Sequence, residues 1–226
     1  HELLRQHLGI EQIDTLIGAS LGGQQALEWA VQFPDRFRKL ILIATNAQHS
    51  PWGIAFNESQ RMAIRNDRSW GQINKKAGLE GMKIARSIAM LSYRGYQTYS
   101  GSQSDGDLSK TTDYRASSYQ RYQGEKLAQR FNAFSYYLLS EAMDSHNVGR
   151  GRGSVEAALK SVSAKTLAIG ISSDLLFPVM EQKFLASNIP DADYQEIDSD
   201  FGHDGFLVEA DQLDDLIRNF EWGVTV

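Results

Sequence analysis

Residues 14–26 read DTLIGASLGGQQA, and no other stretch constrains the fold as tightly. The apolar run Thr15-Leu16-Ile17 predicts a strand, and Gly23 to Ala30 (GQQALEWA) predicts a helix that starts almost at once. Only Gly18-Ala19-Ser20-Leu21-Gly22 lies between them, so the chain must reverse in a tight turn. A G-x-S-x-G turn between strand and helix is a nucleophile elbow, a strained bend that lifts the serine hydroxyl above the end of a sheet. Gly18 and Gly22 are expected to give the helix room to pass close to the strand. Ser20 would then sit over a helix N-terminus, whose unpaired N–H groups favour an oxyanion, with the backbone N–H of Leu21 as one donor.

The rest of the chain alternates strands and helices on either side of a helical middle. Residues 2–9 predict a helix, 12–18 the strand before Ser20, 21–33 the helix after it, and Lys39 to Ala44 (KLILIA) a strand buried on both faces of a parallel sheet. Residues 1–44 are therefore assigned to an α/β core. Residues 45–153 show little strand pattern and many helical stretches, and are assigned to a cap or lid inserted into that core. The segment ends at Gly149-Arg150-Gly151-Arg152-Gly153, read as a flexible hinge back to the core, with a phosphate contact as the alternative. Residues 154–226 resume the α/β pattern, with strands at Lys165–Ile171 and Ala192–Ile197, helices at Val155–Val162 and Val179–Ser187, and one amphipathic closing helix from Phe206 to Trp222. The fold class is α/β, with a mostly parallel sheet and a helical cap. The serine strand of such a sheet is expected to have parallel neighbours on both sides, so further strands are expected in a part of the protein preceding His1.

Composition narrows the function. A formal net charge of −5 argues against nucleic acid or an anionic membrane as the main partner, and the 226 residues contain no cysteine for disulfides, thiol catalysis or thiolate-bound zinc. No apolar run approaches the roughly 20 residues of a membrane span. A cytoplasmic protein without a bound metal or permanent cofactor is expected.

A serine hydroxyl needs a base beside it. Of the five histidines, His1 and His7 fall on the leading helix, and His49 and His146 in the cap region. His203 alone follows the last strand, in the glycine-flanked loop Phe201-Gly202-His203-Asp204-Gly205, at the end of a parallel sheet where active sites gather. That base needs a carboxylate to fix its tautomer. Asp174 follows strand 165–171 directly, whereas Asp198 and Asp200 read as solvated turn residues. The order Ser20, Asp174, His203 makes a nucleophile–acid–base set. In the cap, Met82, Arg86, Ala89 and Tyr93 fall on one helical face. Arg86 is either a surface residue laying its stem over that stripe or a binder of a substrate carboxylate, in which case Asp204 is the counterpart for a substrate ammonium.

The segments GASLGGQQALEWA (18–30), ARSIAMLSYRG (85–95), residues 122–154, SSDLLFP (172–178) and GHDGFLVE (202–209) together resemble the homoserine O-acyltransferases of the α/β-hydrolase superfamily. The resemblance implies a triad of Ser20, Asp174 and His203, and substrate contacts from Arg86, Tyr93 and Asp204. It implies double displacement, in which an acetyl group passes from acetyl-CoA to Ser20 and then to the side-chain hydroxyl of L-homoserine. It also implies a homodimer, formed through the cap. Asn147 stands where many members have Asp, and Ala19 where many have a second Gly. The family's second oxyanion donor lies in its N-terminal half and has no counterpart in these residues; losing one donor costs about 3 kcal/mol in a barrier. Succinyl-CoA as donor, serine as acceptor, a plain serine esterase, and a non-catalytic scaffold remain the rival readings.

Overall fold

The computed structural model describes residues 1–222. The elements run α1 (Glu2–His7), β1 (Ile13–Ala19), α2 (Leu21–Gln32), β2 (Phe37–Ile43), α3 (Pro51–Arg65), α4 (Leu79–Tyr93), α5 (Tyr96–Gln103), α6 (Arg115–Ala128), α7 (Ala133–Asp144), α8 (Val155–Leu159), β3 (Lys165–Ile171), α9 (Val179–Asn188), β4 (Ala192–Ile197), α10 (Gly205–Val208) and α11 (Ala210–Trp222). The strands form one parallel sheet in the order β1-β2-β3-β4.

Successive side chains of a strand point to opposite faces, and β2 shows the consequence. Leu40 and Leu42 pack with Ala26, Leu27, Ala30 and Val31 of α2, and with Leu185 of α9. Ile41 and Ile43 face the other way, against Leu213, Leu216, Ile217 and Phe220 of α11. A strand covered by helices on both sides has no polar face, which is why KLILIA reads as an unbroken apolar run. β2 and β3 are neighbours in the sheet although α3 to α8 separate them in the chain. The intervening helices build their own core, in which Ile64, Met82, Ala85, Leu127 and Ala133 are buried against Trp70, Tyr136 and Tyr137.

Two expectations need correction. The closing helix is not continuous from Phe206. Glu209 leaves helical geometry (φ −86°, ψ 56°) and splits it into α10 and α11. The Glu209 carboxylate accepts from Ser199 Oγ at 2.9 Å, which ties the break to the loop after β4. The periodicity of the apolar residues survives the break, so it does not show in the sequence. The α8 helix also ends at Leu159, and the residues up to Val162 form turns.

Candidate active site

The elbow is where strand, turn and helix must pass closest. Ser20 has φ 52° and ψ −126°, a region L-residues rarely occupy. The strain is held by the sheet: Ser20 N donates to Ile43 O at 2.9 Å, and Thr45 Oγ1 donates to Ser20 O at 2.8 Å. Gly18 is required as expected, because a Cβ there would lie 2.3 Å from Gly22 O and 2.9 Å from Ala26 Cβ. Gly22 is not required for space, since a Cβ there would meet nothing within 4 Å. The second close approach falls one residue later, at Gly23, whose Cβ would stand 2.6 Å from Thr45 Cβ. Leu21 opens α2, so its N–H has no carbonyl one turn back and is free to face the serine oxygen.

His203 reaches Ser20 from the far side of the sheet. It sits in a short 3-10 turn, Gly202–Asp204, after β4. Its Nε2 is 2.9 Å from Ser20 Oγ and its Nδ1 is 2.7 Å from Asp174 Oδ2. The carboxylate accepts only, so Nδ1 carries the proton and Nε2 is left to accept from the serine hydroxyl. Asp174 is buried in the loop after β3, and its Oδ1 accepts from Leu176 N at 2.8 Å and Phe177 N at 2.9 Å. Both carboxylate oxygens are therefore occupied and the group cannot rotate. The His203 ring is clamped by Phe177 (centroids 5.2 Å, stacked), Phe206 (5.4 Å, edge-on) and Tyr93 (5.7 Å). Asp198 and Asp200 are exposed, as their loop position implies.

The cap contributes the neighbouring wall. Arg86 and Tyr93 share one face of α4, with the Arg86 guanidinium 5.3 Å from the Tyr93 ring centroid. Arg86 is half-buried and makes no ion pair with a carboxylate among the described residues. Burial pushes the Tyr93 hydroxyl up, so it stays a neutral donor. Met82 and Ala89, on the same face, are buried in the cap instead of lining the site. Asp204 is placed beside His203, but it is not alone: Arg94 Nε lies 3.2 Å from Asp204 Oδ2. Burial raises the Asp204 carboxyl above its usual range, against the opposing pull of Arg94, His203 and Arg86.

Arg94 and Phe177 are the residues that sequence reasoning passed over. Both stand inside segments already singled out, Arg94 one residue after Tyr93 and Phe177 three after Asp174. Nothing in spacing distinguishes them, because their partners are distant in the chain. His49 and His146 take no part in the constellation. His49 is buried between Gln24 Nε2 and Asn57 Nδ2, each at 3.3 Å, and His146 Nε2 donates to Asn46 O at 3.0 Å.

Comparison with known proteins places this geometry. The chain is 49% identical to a homoserine O-acetyltransferase of Cyclobacterium marinum, over 96% of this chain and 62% of that protein. It is 44% identical to one from Thermus thermophilus, over 96% of this chain and 55% of the relative. It therefore spans about three fifths of the length of the curated relatives it matches. Among solved structures, a homoserine O-acetyltransferase from Staphylococcus aureus superposes with a TM-score of 0.79 at 30% identity, over 97% of this chain and 62% of that one. The family model for the alpha/beta hydrolase fold matches residues 1–210, a span that holds β1 to β4 together with Ser20, Asp174 and His203. With its elbow, sheet order and hydrogen-bonded Ser–His–Asp chain all inside that match, the chain belongs to the alpha/beta hydrolase family.

Proposed function

We propose that this chain carries the nucleophile, base and acceptor-binding wall of an acyltransferase that moves an acetyl group from acetyl-CoA to the side-chain hydroxyl of L-homoserine. The observation that carries the reading is the unbroken chain Ser20 Oγ–His203–Asp174 with Arg86, a cation without a carboxylate partner of its own, on the facing wall. An ester hydrolase has no need of that cation, whereas an α-amino acid brings a carboxylate to meet it.

In this mechanism His203 Nε2 takes the Ser20 proton as Oγ attacks the thioester carbonyl. The negative oxygen faces the Leu21 N–H at the start of α2. CoA leaves with the proton returned by His203, and acetyl remains on Ser20. Homoserine then enters with its carboxylate toward Arg86 and Tyr93 and its ammonium toward Asp204. His203 takes the proton of its side-chain hydroxyl as that oxygen attacks the acyl carbonyl; the bond from the carbonyl carbon to Ser20 Oγ then breaks, Oγ takes the proton back from His203, and O-acetylhomoserine leaves. Asp174 holds the tautomer throughout and stabilises the imidazolium.

Several features support the accompanying expectations. Among the described residues no helix is long and apolar enough to cross a membrane, which suits an enzyme working in the cytoplasm, where acetyl-CoA is at hand. Phe134, Leu138 and Leu139 of α7 are exposed apolar side chains on the cap, and a homodimer through the cap would cover them. The mass of the full-length protein by light scattering tests the dimer.

The decisive experiment gives the full-length protein acetyl-CoA with and without L-homoserine and follows free CoA. Homoserine-dependent release that disappears in Ser20→Ala supports the transferase. Release at the same rate without homoserine favours an esterase or thioesterase. Release with succinyl-CoA, or with serine in place of homoserine, moves the assignment to a sister activity on the same scaffold.

A further inference from the structure

The Asp204 side chain makes a single ion pair. Arg94 Nε approaches Oδ2, and Oδ1 has no partner among the described residues. The contact is an ion pair that does not align as a hydrogen bond, and the Arg94 side chain makes no other ion pair or hydrogen bond among the described residues. Its backbone, in contrast, is fixed. The C-terminal end of α4 seats directly on the loop that carries the base: a Cβ on Gly95 would stand 2.0 Å from Asp200 O, and one on Gly202 would stand 2.8 Å from Arg94 C. Thr98 Oγ1 adds a 2.6 Å bond to Asp200 O. The root of the Arg94 side chain is thus rigid with respect to the residue next to His203, while its head makes one ion pair.

We propose that Arg94 is the positioning residue of Asp204, holding the carboxylate by one oxygen so that the other is presented, ionised, to the ammonium group of the acyl acceptor. The proposal rests on the acyltransferase reading of the site. A half-buried carboxylate with no cation would turn to Arg86 or take up a proton, and either would remove the ammonium site. With Arg94 on Asp204, Arg86 stays available for the acceptor's carboxylate. One cation is committed to the protein's own acid and the other to the ligand's. The contact runs from Nε to one carboxylate oxygen, which leaves the second uncovered.

The experiment compares wild type, Arg94→Gln and Arg94→Lys in two half-reactions: the acyl-enzyme burst with p-nitrophenyl acetate, and transfer from acetyl-CoA to L-homoserine. Arg94→Gln is expected to raise the homoserine KM by about tenfold or more, with a much smaller effect on the burst, and Arg94→Lys to recover part of the loss. The groups facing Asp204 are Arg94, His203, Arg86 and Asp174. Removing the Arg94 charge lets burial raise the Asp204 carboxyl further, so the acid limb of kcat/KM for homoserine moves to higher pH in Arg94→Gln and back in Arg94→Lys. An unchanged homoserine KM and acid limb in Arg94→Gln overturns the proposal. So does an equal fall of burst and transfer in both variants, which marks Arg94 as merely structural. A wild-type protein that turns over acetyl-CoA continuously and at the same rate without homoserine, beyond the CoA released in forming the acyl-enzyme, overturns the acyltransferase reading first, and the proposal with it, before any variant is made.

Discussion

Gly95 and Gly202 lie so close that a Cβ on Gly202 would stand 2.7 Å from Gly95 N. One residue follows helix α4 and the other precedes His203. Cap and core are therefore joined at the spot where a small displacement moves His203.

Gly95→Ala tests that junction. Gly95 has ordinary backbone geometry, φ −72°, so alanine adds no torsional strain. Its methyl would meet Asp200 O at 2.0 Å, a backbone atom that must move. The variant is expected to lose on the order of 100-fold in kcat, as misplacement of a catalytic group by about 1 Å does, while thermal unfolding shifts by only a few degrees. Full activity would show that the two loops can part without disturbing the base.

Asp174→Asn keeps the shape of the acid and removes its charge. The amide would offer a donor to Nδ1 and so favour the wrong tautomer, leaving Nε2 protonated against Ser20. A fall on the order of 10⁴ in kcat is expected, with the folded state retained. A loss smaller than tenfold in steady-state turnover would mean that His203 is held in register by Phe177, Phe206 and Tyr93 alone.

Arg86→Gln should separate the two half-reactions. The charge-assisted bond to the acceptor's carboxylate goes, worth about 2 kcal/mol or roughly thirtyfold in acceptor KM. Acylation of Ser20 by a neutral ester involves no such carboxylate and should change little. Equal losses in burst amplitude and transfer would remove Arg86 from acceptor binding. Tyr93→Phe should have a smaller effect in the same direction, since the ring that supports the Arg86 guanidinium and packs on His203 is kept.

His146 gives a prediction about stability. Burial lowers its pKa to about 4, below the ordinary value of 6.5, because the ring is packed where a charge is poorly solvated. The unfolded chain then binds the proton more readily than the folded one. The contribution of neutral His146 is fully present above about pH 6.5 and is lost progressively as pH falls toward 4, to a total of about 3 kcal/mol. Urea unfolding of wild type and His146→Gln at pH 7.5 and pH 5 measures it: wild type should lose stability over that interval and the variant distinctly less. Parallel losses in the two proteins would place the pH dependence elsewhere.

The chain by itself determined the local devices. Gly18-Ala19-Ser20 between an apolar run and a helix could only be a strained turn, and Ser20 has φ 52°. The order Ser20, Asp174, His203 at strand ends followed from the same reading, because parallel strands deliver their C-terminal loops to one edge of the sheet. KLILIA could only be a strand covered on both faces, and β2 is. What tertiary structure decided is whatever depends on a partner far away in sequence. Thr45, not the motif, requires glycine at 23 and leaves 22 free. The closing helix breaks at Glu209, whose carboxylate accepts from Ser199 Oγ, a contact invisible to periodicity. Asp204 finds Arg94 across 110 residues of chain, while Arg86 makes no ion pair with a carboxylate among the described residues. Hydrophobic spacing encodes which face of an element is buried, but which charge meets which is set by how cap and core are packed together.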